Sequence, residues 1–275
     1  MVSIAYPIWS IYEPLFASLV SHDPDEWKTF RLNRVTDEQL CGLVRRQDVD
    51  VAFVSVSILP YIKGYRRLAF GGWYKEGGGL PVVAGRDLTL EMLVGHRVGV
   101  RDRWAPAYAA LGLFVRNVWP VIRSPMNLLE ELERKRMDAA VVDYYPVDEL
   151  RKRGFVVVDD LVMRWMDNKG YPMPLMVGLA REGISPPVLD FLKTQFEQAV
   201  SNLTRNETEW IEQVTASVPM LAEFEIRAFV AHTLWTEFRH TTATGQQALI
   251  HYFDHAFHQG LLPYPDAAML ERHAA

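Results

Sequence analysis

Cysteine is nearly absent from this chain: 275 residues carry one, Cys41. A single thiol excludes an internal disulfide and a thiolate metal cluster. Inside the helical stretch Asp37–Arg46, Cys41 reads as a small buried residue. An excess of basic charge is absent as well. Lys and Arg number 29 against 34 Asp and Glu, a formal net charge of −5, and no basic stripe stands out. Nucleic acid is therefore not expected as a partner. No apolar run approaches the length of a membrane span, so no membrane partner is expected either. The opening Met-Val-Ser-Ile-Ala-Tyr-Pro has neither a basic start nor a long apolar core. No secretory signal is read there, and a cytoplasmic location is expected. The glycine triplet Gly77–Gly79 lacks the Gly-Lys-Ser/Thr ending of a phosphate loop. It is either a flexible connector or a loop lining a ligand, with Gly78 and Gly79 the candidate contacts. His251, His255 and His258 fall on one helix face. No Glu or further ligand accompanies them in a pattern such as H-E-x-x-H, and neither metal nor organic cofactor is expected.

What is present is an α/β pattern that occurs twice. Asp50 to Tyr61 reads D-V-A-F-V-S-V-S-I-L-P-Y. Val51–Val54 is an apolar run rich in β-branched residues, the signature of a fully buried strand in a parallel sheet. Met137 to Pro146 reads M-D-A-A-V-V-D-Y-Y-P and repeats the order of Asp, short apolar strand, polar residues and proline. Upstream of each lies a strand, a polar turn and an amphipathic helix, at Val2–Val20 and again at Arg97–Val115. The length suffices for two cores. Two such lobes facing each other enclose a cleft, a preferred place for ligands.

The remaining elements follow from periodicity and caps. Trp27–Leu32 reads as a strand. Thr36–Arg46 reads as a helix, with Thr36 and Gln39 forming a capping box. Ser57–Gly64 reads as a helix. Leu80–Ala84 and Leu175–Ala180 are strands at the two crossings between lobes, placed near Leu80–Arg86 and Tyr171–Ala180. Pro186 starts a helical C-terminal block that includes Leu221–His240 and Ala243–Gln259. The expected organisation is a discontinuous lobe 1 of residues 1–85 and 181–275, a lobe 2 of residues 86–180, and a ligand cleft between them.

Candidate site residues stand where the strands end. Ligands of open α/β sheets sit outside the carboxyl ends of the strands. Ser55 and Ser57 end the central strand. Each hydroxyl can bind a small polar ligand or cap the next helix. Asp143 ends the corresponding strand of the second unit. It is either an acid–base group in the cleft or the cap of the helix beginning near Pro146. Arg101 and Arg103 follow the strand Arg97–Val100. They either grip a carboxylate or serve surface solubility. Tyr6, Trp9, Trp104, Tyr144, Tyr145 and Tyr171, with Ser10 in the same turn as Trp9, gather at strand ends or crossings. Six aromatics there favour a flat or cyclic ligand, and an aromatic box would also suit a cation.

These stretches, in this order, resemble the menaquinone-biosynthesis enzymes of the futalosine pathway, the MqnA/MqnD family. The dihydroxynaphthoate synthase branch is the most similar. The matching residues are Asp50 to Tyr61, Tyr65, and the glycine-rich run Gly71–Gly79 leading into Leu80–Arg86. Tyr171-Pro172-Met173-Pro174-Leu175 and Gly260-Leu261-Leu262-Pro263 complete them, so that the similarity spans almost the whole chain. The resemblance implies an α/β, two-lobed, type-2 periplasmic-binding-protein-like fold with a helical C-terminal block on lobe 1. Three places depart from the family pattern. Ala105-Pro106-Ala107 stands for Thr-Thr-Ala, and the N-terminal turn Pro7–Glu13 differs. Asp143 stands where the synthases carry a His proposed as general base.

The functional expectation is a lyase-like, cofactor-independent enzyme. It would act on a small cyclic or aromatic carboxylic acid by proton abstraction or elimination, with Asp143 as the base. A non-catalytic solute-binding protein and a decarboxylase on the same scaffold are the alternatives. The partner is a small acidic or aromatic ligand, and a homodimer is left open.

Overall fold

A computed structural model of the chain describes residues 1–22, 24–218 and 221–271. The apolar run at Val51 forms β3 (Val51–Ser55), buried along its whole length. β1 (Val2–Pro7) lies beside it and pairs in parallel with both β3 and β2 (Phe30–Val35). α1 (Tyr12–His22) and α2 (Asp37–Arg45) link these strands. β11 (Met173–Arg181) runs antiparallel on the far side of β3 and carries β4 (Tyr65–Arg67) and β5 (Trp73–Lys75). The sheet order is β2-β1-β3-β11-β4, with β5 also on β11.

The second sheet repeats this plan. β7 (Arg97–Val100) pairs in parallel with β8 (Trp119–Ile122) and β9 (Ala139–Val141), and β6 (Pro81–Ala84) runs antiparallel to β9. β10 (Val156–Asp160) completes the order β10-β6-β9-β7-β8. The helices of this lobe are α3 (Pro106–Gly112), α4 (Pro125–Glu133), α5 (Val147–Lys152) and α6 (Leu161–Lys169). The Asp that opens each sequence repeat has one structural job in both. Asp50 Oδ2 accepts the Ser3 N–H at 2.8 Å and the Ser3 hydroxyl at 2.9 Å. Asp138 Oδ2 accepts the Arg97 N–H at 2.9 Å. Each carboxylate thus ties the entry of its third strand to the start of its first and fixes the register between them. Each lobe also receives a strand from a crossing. β6 hydrogen-bonds within the second sheet and β11 within the first, so the chain changes sheet at residues 76–80 and 170–172. Both points precede the expected boundaries at 85/86 and 180/181.

Three elements differ from their sequence reading. Trp27 sits in a short 3-10 turn, Glu26–Thr29, ahead of β2. Its buried ring packs among Phe16, Phe30 and Phe191 at centroid distances of 5.2–5.7 Å, which a strand directed along the sheet would not reach. Ser57–Gly64 shortens to a 3-10 turn, Val56–Tyr61, with Pro60 inside it, where a missing N–H and a fixed φ oppose an α-helix. Leu221–His240 is not one helix. Following α7 (Pro186–Arg205) and α8 (Glu207–Ser217), it splits into α9 (Glu223–Val230) and α10 (Trp235–Arg239). Between them the backbone pairs with the crossing: Leu234 N–H donates to Tyr74 O at 2.9 Å, Glu76 N–H donates to His232 O at 3.0 Å, and Thr233 bridges Lys75. The strand partner supplies hydrogen bonds that helix continuation would have supplied.

α7 and α10 close the first core through stacked rings. Phe196 lies 5.0 Å from Phe53 and 5.5 Å from Phe238. α11 (Ala243–His258) runs along β11, and α12 (Ala267–Leu270) packs on β4. α11 also reaches the second lobe. His255 Nε2 is 3.3 Å from Leu113 O, and Trp165 and Tyr252 rings meet at 6.0 Å.

Burial opposes ionisation of Asp50. Its hydrogen bonds from Ser3 and its pairing with Arg181 nevertheless hold the carboxyl below its ordinary value. Asp50→Ala should therefore destabilise the chain by about 1.5–3 kcal/mol at neutral pH, the range for hydrogen bonds to a charged group. A folded value below the unfolded one means this contribution is present above about pH 4 and is lost as pH falls through the folded value. Guanidinium titrations of both proteins at pH 7 and pH 3 check it: the gap between them should shrink in acid.

Candidate functional site

The carboxyl ends of the strands in both lobes face each other, and their loops supply the candidate residues. Trp9 and Ser10 follow β1, Ser55 ends β3 with Ser57 just beyond, Arg101–Ala105 follow β7, and Asp143–Tyr145 follow β9. Arg101 is at the centre. Its side chain is 4% exposed, and its Nε meets Asp37 Oδ2 at 3.2 Å while Nη1 meets Asp143 Oδ2 at 2.9 Å. Nη1 also donates to the Trp9 carbonyl. Asp37 and Trp9 belong to the first lobe, Arg101 and Asp143 to the second. The guanidinium therefore spans the boundary. Among the described residues its Nη2 and Asp37 Oδ1 are buried without a hydrogen-bond partner, and Asp143 Oδ2 has only its ion-pair contact to Nη1. Next to this cluster, Asp102 Oδ2 accepts the Glu38 N–H at 3.1 Å, and Asp102 Oδ1 accepts the Trp104 N–H at 2.9 Å. The loop after β7 is thus fastened to the amino end of α2.

Burial dominates the electrostatics. It pushes the Asp37 carboxyl up to about 6; Arg101 offsets part of the effect, and the neighbouring carboxylates Asp102 and Asp143 add to it. Lys75, fully buried on β5, is brought down to about 8 by the same desolvation, against the pull of Asp143 and Asp160. Asp143 is buried but does not sit among rings alone: it faces the Arg101 guanidinium. Nor does Asp143 cap the following helix: Pro146 is the cap residue of α5, with no side-chain hydrogen bond there. The Ser55 side chain caps nothing either. Its hydroxyl and that of Ser57 bond to each other at 2.8 Å.

Trp9 holds a left-handed backbone, φ 59°, and its ring lies 5.9 Å from Tyr144, which in turn lies 5.4 Å from Tyr145. The Tyr144 hydroxyl donates to Pro125 O at 2.7 Å. Ser10 is spent within its own turn, donating to Pro7 O at 2.7 Å. Gly78 and Gly79 adopt φ of 138° and 113°. Gly79 N–H donates to Asp160 Oδ2 at 2.8 Å, and a Cβ at Gly79 would lie 2.7 Å from Lys75 Nζ. Trp104 packs edge-on against Tyr61 at 5.9 Å. With Ser57, Arg103, Tyr108, Leu261 and Leu262 it lines a cavity of about 660 Å³ beside the Arg101 cluster.

Two candidates lie elsewhere. Tyr6 stacks on Phe16 at 4.6 Å, and burial, partly offset by Arg34, pushes its hydroxyl up to about 12. Tyr171 lies 4.6 Å from the ring of His251 on α11. Conversely, Asp37 meets Arg101 and Lys75 is fully buried on the crossing strand, though neither was singled out in the sequence. Asp37 follows the capping residue Thr36 and reads as an ordinary first-turn acid. Lys75 sits in the glycine-rich crossing, where an exposed side chain is the default reading.

A family model described as menaquinone biosynthesis matches residues 6–258. A 1,4-dihydroxy-6-naphtoate synthase of Thermus thermophilus is 27% identical over 198 residues, 72% of each chain. Among solved structures, protein AF1704 from Archaeoglobus fulgidus is similar with a TM-score of 0.82 at 20% identity, over 95% of this chain and 98% of that one. The alkanesulfonate-binding protein SsuA from Xanthomonas axonopodis pv. citri, bound to MOPS, gives a TM-score of 0.70 at 15% identity over 99% and 98%. These likenesses show a periplasmic-binding-protein-like fold.

Removing one partner of a buried ion cluster strands the others. Arg101→Leu should cost about 3–5 kcal/mol. The combined Asp37→Asn, Arg101→Leu and Asp143→Asn variant should regain most of that loss. Guanidinium denaturation of the single and triple variants checks it, and an Arg101→Leu protein as stable as the native one would contradict it.

Proposed function

The chain belongs to the menaquinone-biosynthesis family, and on that premise we propose that it is an enzyme holding a small cyclic or aromatic carboxylic acid between its lobes and removing a proton next to a carbonyl or carboxylate. The observation that carries this reading is the unpartnered, buried Nη2 of Arg101 beside two carboxylates from opposite lobes. A guanidinium grips a carboxylate best through two parallel N–H donors. An incoming acid would take the Nη1 and Nη2 face of Arg101, while Asp37 keeps Nε. Asp143 then loses its counter-charge and becomes free to accept a proton. Binding of the acid itself thereby activates the base, and an unliganded Asp143 stays engaged. The Asp37 carboxyl, pushed up to about 6 by burial, provides a place for the proton that balances the added negative charge. Trp9 and Tyr144 pack on each other at 5.9 Å and are both buried, so a flat ring would have to part them to stack there.

A second reading follows from the resemblance, which implies that Asp143 takes the place of a His of the synthases. On that reading the protein binds the acid without turnover. The decarboxylase alternative would use the same carboxylate grip and release carbon dioxide. Among the described residues no helix is long and apolar enough to cross a membrane.

Arg101→Lys keeps the charge and loses the planar fork. It should weaken binding of 2-naphthoate by about 1.5–3 kcal/mol in calorimetry. Asp143→Asn should retain that binding and lose turnover of the acid converted by the Thermus thermophilus synthase. An unchanged dissociation constant removes Arg101 from the site, and full turnover by Asp143→Asn places the base elsewhere. Native protein that binds 2-naphthoate and converts nothing supports the binding-protein reading.

A further inference from the structure

Lys75 is a buried cation to which sequence reading gave no role. It lies on β5 at the point where the chain leaves the first lobe, with 0% of its surface exposed. An ammonium carries three N–H donors. Among the described residues Lys75 Nζ has a single hydrogen-bond partner, Ala228 O on α9, at 2.9 Å. The Trp73 ring lies 5.5 Å away. The backbone of Gly79 closes on the stem so tightly that a Cβ there would lie 2.7 Å from Nζ and 2.8 Å from Cδ. Two carboxylates act on the amine. Asp160 is saturated by backbone N–H groups: Gly79 at 2.8 Å and Leu80 at 3.2 Å on Oδ2, Val162 at 2.9 Å and Met163 at 3.3 Å on Oδ1. Asp143 is shared with Arg101. Other titratable groups near this corner are His232, whose ring borders Gly77 and Gly78, and Glu225 on α9, engaged by the Ala222 N–H.

A buried amine with one acceptor costs stability, since desolvation falls on the charged form. A methionine would fill the same volume without that cost. Residues that oppose folding concentrate where a site needs them. The charge sum also points to the cleft. Asp37, Asp102, Asp143 and Asp160 outnumber Arg101 and Lys75, so a further anion between the lobes needs both cations charged or a proton taken up. We propose that Lys75 is a second cationic residue of the ligand site, whose ammonium form is required for an anionic ligand and whose proton can be given up there. The proposal rests on the acid-binding reading above and adds the group that sets its pH range. With the amine brought down to about 8, the ligand site loses this positive charge within a pH range where surface lysines keep theirs.

Two measurements test it. The first needs no ligand. A folded value below the unfolded one leaves the unfolded chain with more bound protons between about pH 8 and pH 10, so stability rises with pH across that window. Lys75→Met should be more stable than the native protein at pH 7 in guanidinium, with the gap closing by pH 10. A gap that stays constant with pH, or a variant less stable at pH 7, overturns the proposal. The second is calorimetry with 2-naphthoate, whose carboxyl is ionised throughout, from pH 7 to pH 10. Native affinity should fall up to about tenfold per pH unit above pH 8, and Lys75→Met should show weaker binding with no such fall. The same fall in Lys75→Met overturns the role of Lys75 and leaves the acid-binding reading standing. Native protein that binds no 2-naphthoate at any pH overturns both.

Discussion

The guanidinium of Arg101 ties together acids from opposite lobes, and the geometry of the candidate site follows from it. The two lobes share one continuous cluster of buried apolar residues, with ring contacts such as Trp9–Tyr144 and Tyr61–Trp104 across their boundary. Here a cation of the second lobe meets Asp37 and the Trp9 carbonyl of the first at hydrogen-bonding range, with Asp143 of its own lobe on the other side. Such a cluster is not a source of great net stability, because desolvating the ions consumes much of the Coulombic gain. Its value lies in specificity. The guanidinium adds a directional contact to the apolar ones between the lobes, and it retains an unused donor. One side chain thus links the lobes and keeps a donor to spare.

That economy gives the cleft a physical logic. On the proposed reading, Asp143 is engaged by Arg101 and would be released by a ligand whose carboxylate competes for the same donors. The buried groups around it are displaced from their ordinary values in the sense that favours neutrality, Asp37 upward and Lys75 downward. On the proposed reading one added charge would be met by moving one proton, a low-cost adjustment where whole charges are expensive to bury.

Much of the fold was legible because its signals are local and repeated. The Asp before each buried strand, Asp50 and Asp138, marked two units of like topology, and the Thr36–Gln39 capping box marked α2. What escaped was decided by distant partners. Residues 231–234 break a helical pattern because β5 offers them backbone hydrogen bonds. α6 is started by Asp160, whose carboxylate also serves Gly79 and Leu80 from another part of the chain. The site divides in the same way. The strand-end rule led to Trp9, Ser55, Ser57, Arg101, Asp143 and Tyr144, which the fold places at the junction of the lobes. Tyr6 still belongs to its strand and points into the first core, and Tyr171 turns toward α11. Asp37 and Lys75 could not be found by position along the chain, since each gains its meaning from burial against the other lobe or the C-terminal helices.

The account turns on whether an acid takes Arg101 from Asp143. A crystal of the native protein soaked with 2-naphthoate tests this directly. The expected density has the carboxylate on Nη1 and Nη2 of Arg101, the ring along Trp9 and Tyr144, and the Asp143 side chain withdrawn from the guanidinium. Density for the acid in the cavity of Trp104 and Tyr108, with the Arg101–Asp143 contact intact, would contradict it.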